Sequence, residues 1–114
     1  MRMERWIFDS PDQAVAALRQ FIQWFYQENR LVNGGLTLGG HHVDLKKIVQ
    51  PVLNIYASKD HLVPPSASVP LARLVGTADY TALAVEVGHI GMYVSVRAQQ
   101  EVPSRIAGWL RERE

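Results

Sequence analysis

The chain has 114 residues, Lys+Arg 12 against Asp+Glu 11, a formal net charge of +1, 47% hydrophobic residues and no cysteine. That length suits one small domain or a part of a larger one, the apolar fraction is too high for disorder, and balanced charge without a basic cluster argues against nucleic-acid binding. No apolar run approaches the roughly 18 residues of a membrane span, Met1-Arg2-Met3-Glu4-Arg5-Trp6 opens no signal-peptide core, and zero cysteines leave no disulfide, thiolate metal site or thiol nucleophile.

Ser10-Pro11-Asp12 predicts a helix start, with Ser10 as cap, Pro11 at the first helical position and Asp12 facing the positive end of the dipole. Ala14, Leu18, Phe21 and Phe25, with Val15 and Ile22 alongside, then form a wide apolar stripe on a helix over 11–29. Trp24 and Tyr26 widen it, so cover on more than one side is expected. Gly34-Gly35 supplies a helix exit. Residues 36–44 read as a small hairpin around Gly39-Gly40, set apart from the main core because each arm is too short for a central strand.

Leu45-Lys46-Lys47-Ile48 is a connector, and Gln50-Pro51 punctuates the chain. Val52–Ala57 is almost all apolar and short, which predicts a strand buried on both faces. A short helix near Ser66–Val75 follows, closed by Gly76 and either begun late or distorted by Pro70. Tyr80–Val87 is a second strand. A last helix carries Val102, Ile106 and Trp109 on one face, with Pro103 near its start and Arg111 and Arg113 near its end. Strands separated by helices predict parallel pairing, hence an α/β fold. Two parallel strands make a meagre sheet, so residues 1–114 read as a single partial domain of a larger, incomplete α/β sheet.

In open α/β sheets the chemistry gathers at the C-terminal ends of strands. Asp60 follows the first strand, and His89, 29 residues on, follows the second. An imidazole exchanges protons near neutral pH, and a carboxylate on its other nitrogen fixes the tautomer. Acid before histidine, one strand apart, is the order of the second half of an α/β-hydrolase triad, whose nucleophile comes first. Gly88 is expected to let the backbone turn before His89, and Gly91 to permit a close approach. Against this stands the plainer reading of a turn-forming aspartate and a surface histidine.

Five runs carry a family resemblance: Trp6-Ile7-Phe8-Asp9-Ser10-Pro11-Asp12-Gln13-Ala14, Phe25-Tyr26-Gln27-Glu28-Asn29, Pro51-Val52-Leu53-Asn54-Ile55-Tyr56-Ala57, Lys59-Asp60-His61-Leu62-Val63-Pro64-Pro65, and Gly88-His89-Ile90-Gly91-Met92-Tyr93-Val94-Ser95. From about Met3 to Arg113 the chain resembles the C-terminal part of the catalytic subunit of class III poly(3-hydroxyalkanoate) synthases. The resemblance implies an α/β-hydrolase-like fold and an acyltransferase that polymerises (R)-3-hydroxyacyl-CoA with release of CoA. In that family a cysteine in a nucleophile elbow carries the growing chain. Asp60 matches the catalytic aspartate and His89 the catalytic histidine. The histidine activates the cysteine, and the aspartate orients the histidine or helps activate the substrate hydroxyl.

The chain departs from the pattern in having neither cysteine nor elbow: Ser10, Ser58, Ser66, Ser68, Ser95 and Ser104 all lack the flanking glycines. Val87 also stands where many relatives are expected to have glycine. The expectation is an expressed fragment or a natural short gene product, inactive alone. Alternatives are a self-associating or synthase-binding module, and an esterase or thioesterase piece. No cofactor and no metal are expected; adjacent His41-His42 on a strand point to opposite faces and read as surface. His61 reads as a packing or hydrogen-bonding residue beside Asp60. Expected partners are a second copy, through an unpaired strand edge or apolar face, the missing synthase portion and the family's second subunit. The resemblance implies a cytoplasmic, granule-associated setting.

Overall fold

A computed structural model describes Asp12 and residues 14–114. The expected cap Ser10 and the expected first helical residue Pro11 lie outside them. The chain forms two compact units, one up to Asp44 and the other Leu45–Glu114.

In the first unit α1 spans Val15–Phe21 and runs directly into a π-helical turn, Ile22–Gln27. The helix therefore starts later than expected, because the backbone is still extended at Ala14 (ψ 129°). The wider turn is closed by a Glu28 N–H to Gln23 C=O bond of 2.9 Å. It brings Tyr26 edge-on to Phe21, five residues back, with ring centroids 5.5 Å apart. Asn29, at φ 47°, stops the helix, since a left-handed residue cannot continue it. A short α2, Arg30–Asn33, follows, and Gly34 ends it at φ 73°. Val15, Leu18, Phe21, Ile22 and Tyr26 are all exposed, so the expected cover of the stripe is not observed among the described residues.

The hairpin pairs β1 (Thr37–Leu38) with β2 (His41–His42) antiparallel. Gly39 and Gly40 both take positive φ, 55° and 77°, as a two-residue turn matching the twist of its strands requires.

In the second unit a 3-10 turn, Leu45–Lys47, leads to β3, Val52–Ala57. Pro70 splits the expected single helix into α3, Pro65–Ser68, and α4, Leu71–Leu74. β4, Tyr80–Val85, lies parallel to β3 in the register Val52↔Tyr80 to Ala57↔Val85. Alternation along the strands sends Leu53, Ile55, Ala57, Leu83 and Val85 to one face. There they join Val87, Met92, Ala98 and Val102 in the core. On the other face Ala82 and Ala84 are exposed.

After β4 come α5, Gly91–Val94, and α6, Val96–Arg111. Pro103 lies well inside α6, not near its start. Ser95 makes the earlier start possible: its hydroxyl accepts the Ala98 N–H at 3.1 Å. The far end is fastened by Trp109, whose indole N–H donates to Thr81 Oγ1 (3.2 Å). Arg113 stacks on that indole at 4.0 Å and forks onto Asp79 at 2.6 and 2.7 Å. The outcome is a mixed helix–strand fold with a small parallel sheet. Its strand ends present the loops 58–64 and 86–90 side by side.

Candidate functional site

The ladder between the strands continues beyond their ends. Ser58 N–H donates to Val85 C=O (2.8 Å) and Lys59 N–H to Val87 C=O (3.1 Å). The residues that follow are thereby held together, and the structure brings the Asp60 and His89 side chains into contact. His89 Nδ1–H donates to Asp60 Oδ2 at 2.7 Å. The other carboxylate oxygen, Oδ1, accepts the backbone N–H groups of Leu62 and Val63, both at 2.9 Å. Asp60 is buried and His89 about a third exposed.

Three donors therefore converge on one carboxylate. Burial acts against its charge and is the largest single influence. The bonds from Val63 N–H, His89 and Leu62 N–H together outweigh it, holding the Asp60 carboxyl below its ordinary range. An ionised Asp60 keeps the imidazole proton on Nδ1 and leaves Nε2 as the basic nitrogen. The pair opens onto a concavity of about 180 Å³ walled by Tyr56, Val63, Ser68, Met92 and Tyr93. A larger hollow of about 260 Å³, between Leu53, Leu83 and α6, holds no such acid–histidine pair.

The glycines beside the histidine act differently from expectation. Gly88 is not at positive φ, and a Cβ there would meet only an ordinary contact, so the turn before His89 does not require glycine. The close approach is at Gly91, where a Cβ would lie 3.1 Å from that of Val87, a tight contact that a small shift must relieve. Val87 is itself buried in the core, which accounts for an apolar residue before Gly88. His61 is exposed and off the cavity wall. His41 and His42 are exposed on the hairpin, in the other unit.

Sequence reasoning missed the wall residues and the charges behind the loops. Glu86 takes Lys59 Nζ at 2.8 Å on one oxygen and Arg97 at 2.8 Å on the other. Lys59 first and Arg97 second hold its carboxyl below the usual value. The bond from Arg113 does the same for Asp79, against the opposing effect of burial. The alternation of charge around both loops, Lys59 beside Asp60 and Glu86 before His89, was the available signal.

These shifts set an acid limit on stability. A carboxyl held below its unfolded value adds stability that is complete above the unfolded pKa, about 3.9 for Asp and 4.3 for Glu. It is lost as pH falls through the folded value. Thermal melts should be level from about pH 7 to 5 and fall steeply below about pH 4. Asp79→Asn should flatten that acid limb; a variant with an unchanged limb would refute the assignment.

No protein-family model matches the chain. Among curated proteins it is 60% identical over 113 residues to the poly(3-hydroxyalkanoate) polymerase subunit PhaC of Allochromatium vinosum. It is 57% identical over 113 residues to that of Thiocystis violacea, and 51% over 115 residues to that of a Synechocystis species. These alignments take in 99–100% of this chain but only 30–32% of each relative, so the chain spans about a third of their length. The relationship does not favour a free-standing binding module or an esterase.

Proposed function

We propose that the chain, which is 51–60% identical over its length to poly(3-hydroxyalkanoate) polymerase subunits, is the C-terminal, acid–histidine part of an α/β-hydrolase-like synthase that polymerises (R)-3-hydroxyacyl-CoA. The observation that carries this reading is the 2.7 Å contact of His89 Nδ1 with Asp60 at the ends of adjacent parallel strands. His89 Nε2 takes the proton of an incoming thiol, the thiolate attacks the acyl carbonyl, and the departing CoA sulfur takes the proton. The carboxylate of Asp60 stabilises the imidazolium in between. The chain has no cysteine, so the thiol comes from elsewhere. The chain alone is therefore inactive.

Complementation tests this. Co-production with the remaining two thirds of the Allochromatium vinosum subunit should restore CoA release from an (R)-3-hydroxyacyl-CoA ester, which neither part shows alone. A complex of the two parts without turnover would overturn the assignment. We place the assembled enzyme in the cytoplasm at polymer granules, with a second synthase subunit as partner.

Without that complement, the chain associates with itself. The outer edge of β3 has no neighbouring strand among the described residues, and Ala82, Ala84 and the α1 stripe face solvent. Such an edge and such faces favour pairing. Sedimentation equilibrium should show a mass above 12.9 kDa that rises with concentration. A constant monomer mass would contradict it.

A further inference from the structure

Asn54 sits in the middle of β3, in a run otherwise free of side-chain amides and charges. Asparagine is disfavoured in strands, so its place there breaks a local rule. Its amide nitrogen donates one hydrogen to the Ser68 carbonyl at 3.0 Å and the other to Tyr80 Oη at 2.8 Å. Tyr80 lies diagonally across the ladder, because Asn54 is in register with Ala82. Ser68 closes α3, the end of a helix where carbonyls lack partners within it. One side chain thus ties the loose end of α3 to both strands. Ser68 is also part of the wall facing Asp60 and His89, and α3 begins just beyond Val63, a donor to Asp60.

We propose that Asn54 is a positioning residue, which holds the Pro65–Ser68 turn as a fixed wall of the Asp60–His89 cavity. The functional side of this proposal rests on the reading of that cavity as the hydroxyacyl site. Its structural side does not. The four-residue turn is tied to its flanks by Ala67 N–H to Pro64 C=O at 2.8 Å and Val69 N–H to Pro65 C=O at 2.9 Å. A helical turn this short opens easily unless something outside it holds it. Asn54 touches neither Asp60 nor His89 among its hydrogen bonds, so it acts on the wall and not on the acid–base pair.

Asn54→Val keeps a strand-forming side chain and removes both donors. Amide exchange in the 114-residue chain should rise about tenfold or more at Ala67 and Val69, while Ser58 and Lys59, bonded across the strand ends, change by less than about threefold. The low-field NMR signal of His89 Nδ1–H should persist, while the Met92 methyl and Tyr56 ring signals shift. Tyr80→Phe leaves the Ser68 bond in place and should give a smaller rise at the same two amides; it serves as the test if the first variant does not fold. In the reconstituted enzyme Asn54→Val should raise KM about tenfold and alter kcat by less than about threefold. Unchanged exchange at Ala67 and Val69, or an equal rise at Ser58, overturns the proposal whatever the enzyme does. A fall in kcat with KM unchanged also overturns it. Failure of reconstitution counts against the functional reading and leaves the exchange experiment standing.

Discussion

In the reconstituted enzyme Asp60→Asn should lower kcat by about three to four powers of ten, although it alters the shape of the site by almost nothing. The reason lies in how the carboxylate is shared. Oδ1 accepts two backbone N–H groups, from Leu62 and Val63, and Oδ2 accepts the His89 Nδ1–H. An asparagine has one oxygen and one NH2 group. The two fixed backbone donors claim the oxygen, so the NH2 group must face the imidazole. His89 Nδ1 then has to accept, its proton moves to Nε2, and the nitrogen that should act as base is blocked.

This swap of tautomer is visible without any turnover. Long-range nitrogen–proton NMR correlations of the 114-residue chain should show Nδ1 protonated in the wild type and Nε2 protonated in Asp60→Asn. His89→Ala should cost at least as much activity, and the double variant little more than either alone, because the two residues act as a unit. A wild-type tautomer in Asp60→Asn, or additive losses, would refute the arrangement. Asp60→Ala should instead free the Leu62 and Val63 amides and loosen the loop, so tautomer and loop order separate the two roles of one carboxylate.

Both members of this candidate pair were legible in the sequence because each lies in the short loop just after a strongly apolar, strand-forming run. Val52–Ala57 matches the expected strand in its bounds, though only Ala57 is fully buried where burial on both faces was expected, and Tyr80–Val85 stops two residues short of the expected Val87. The two glycines of the hairpin were legible too, since a two-residue turn with positive φ has few other solutions. What could not be read depends on contacts distant in sequence or made by the backbone. The Leu62 and Val63 donors carry no side-chain signature. The fork from Asn54 needs the register of β3 on β4 before Tyr80 becomes its neighbour. Pro103 suggested a helix start because proline suits that position. The Ser95 cap and the packing of Ala98 and Val102 in the core carry the helix through it instead. Glycine before His89 suggested a forced turn, whereas the close approach lies at Gly91.

The glycine under the tightest constraint drew notice only as a helix terminator. Gly76 should be the most sensitive small-to-large position in the Leu45–Glu114 unit. Its N–H donates to the Ile48 carbonyl at 3.0 Å, and its Cα lies against Lys46 so closely that a Cβ would overlap the Lys46 carbonyl oxygen. The obstacle is main chain, so no rotamer change relieves it. Gly76→Ala must push apart the segments after α4 and around Leu45–Lys47, breaking the Ile48 bond in doing so. Overpacking and the lost bond together should cost about 3 kcal/mol, lowering Tm by roughly 15 °C for a unit of this size. Gly108→Ala is the matched control. Nothing lies within 4 Å of its added methyl, and relief of a mid-helix glycine should raise stability by about 1 kcal/mol. Opposite signs in urea unfolding are the expected result; two equal effects would mean that the Gly76 contact is not there. The consequence reaches the site, because β4 starts at Tyr80, just beyond Gly76, and its register against Val52 decides where His89 emerges. Weakening of the His89 Nδ1–H signal in Gly76→Ala, while the chain is still folded, would show that this backbone joint sets the distance between acid and base.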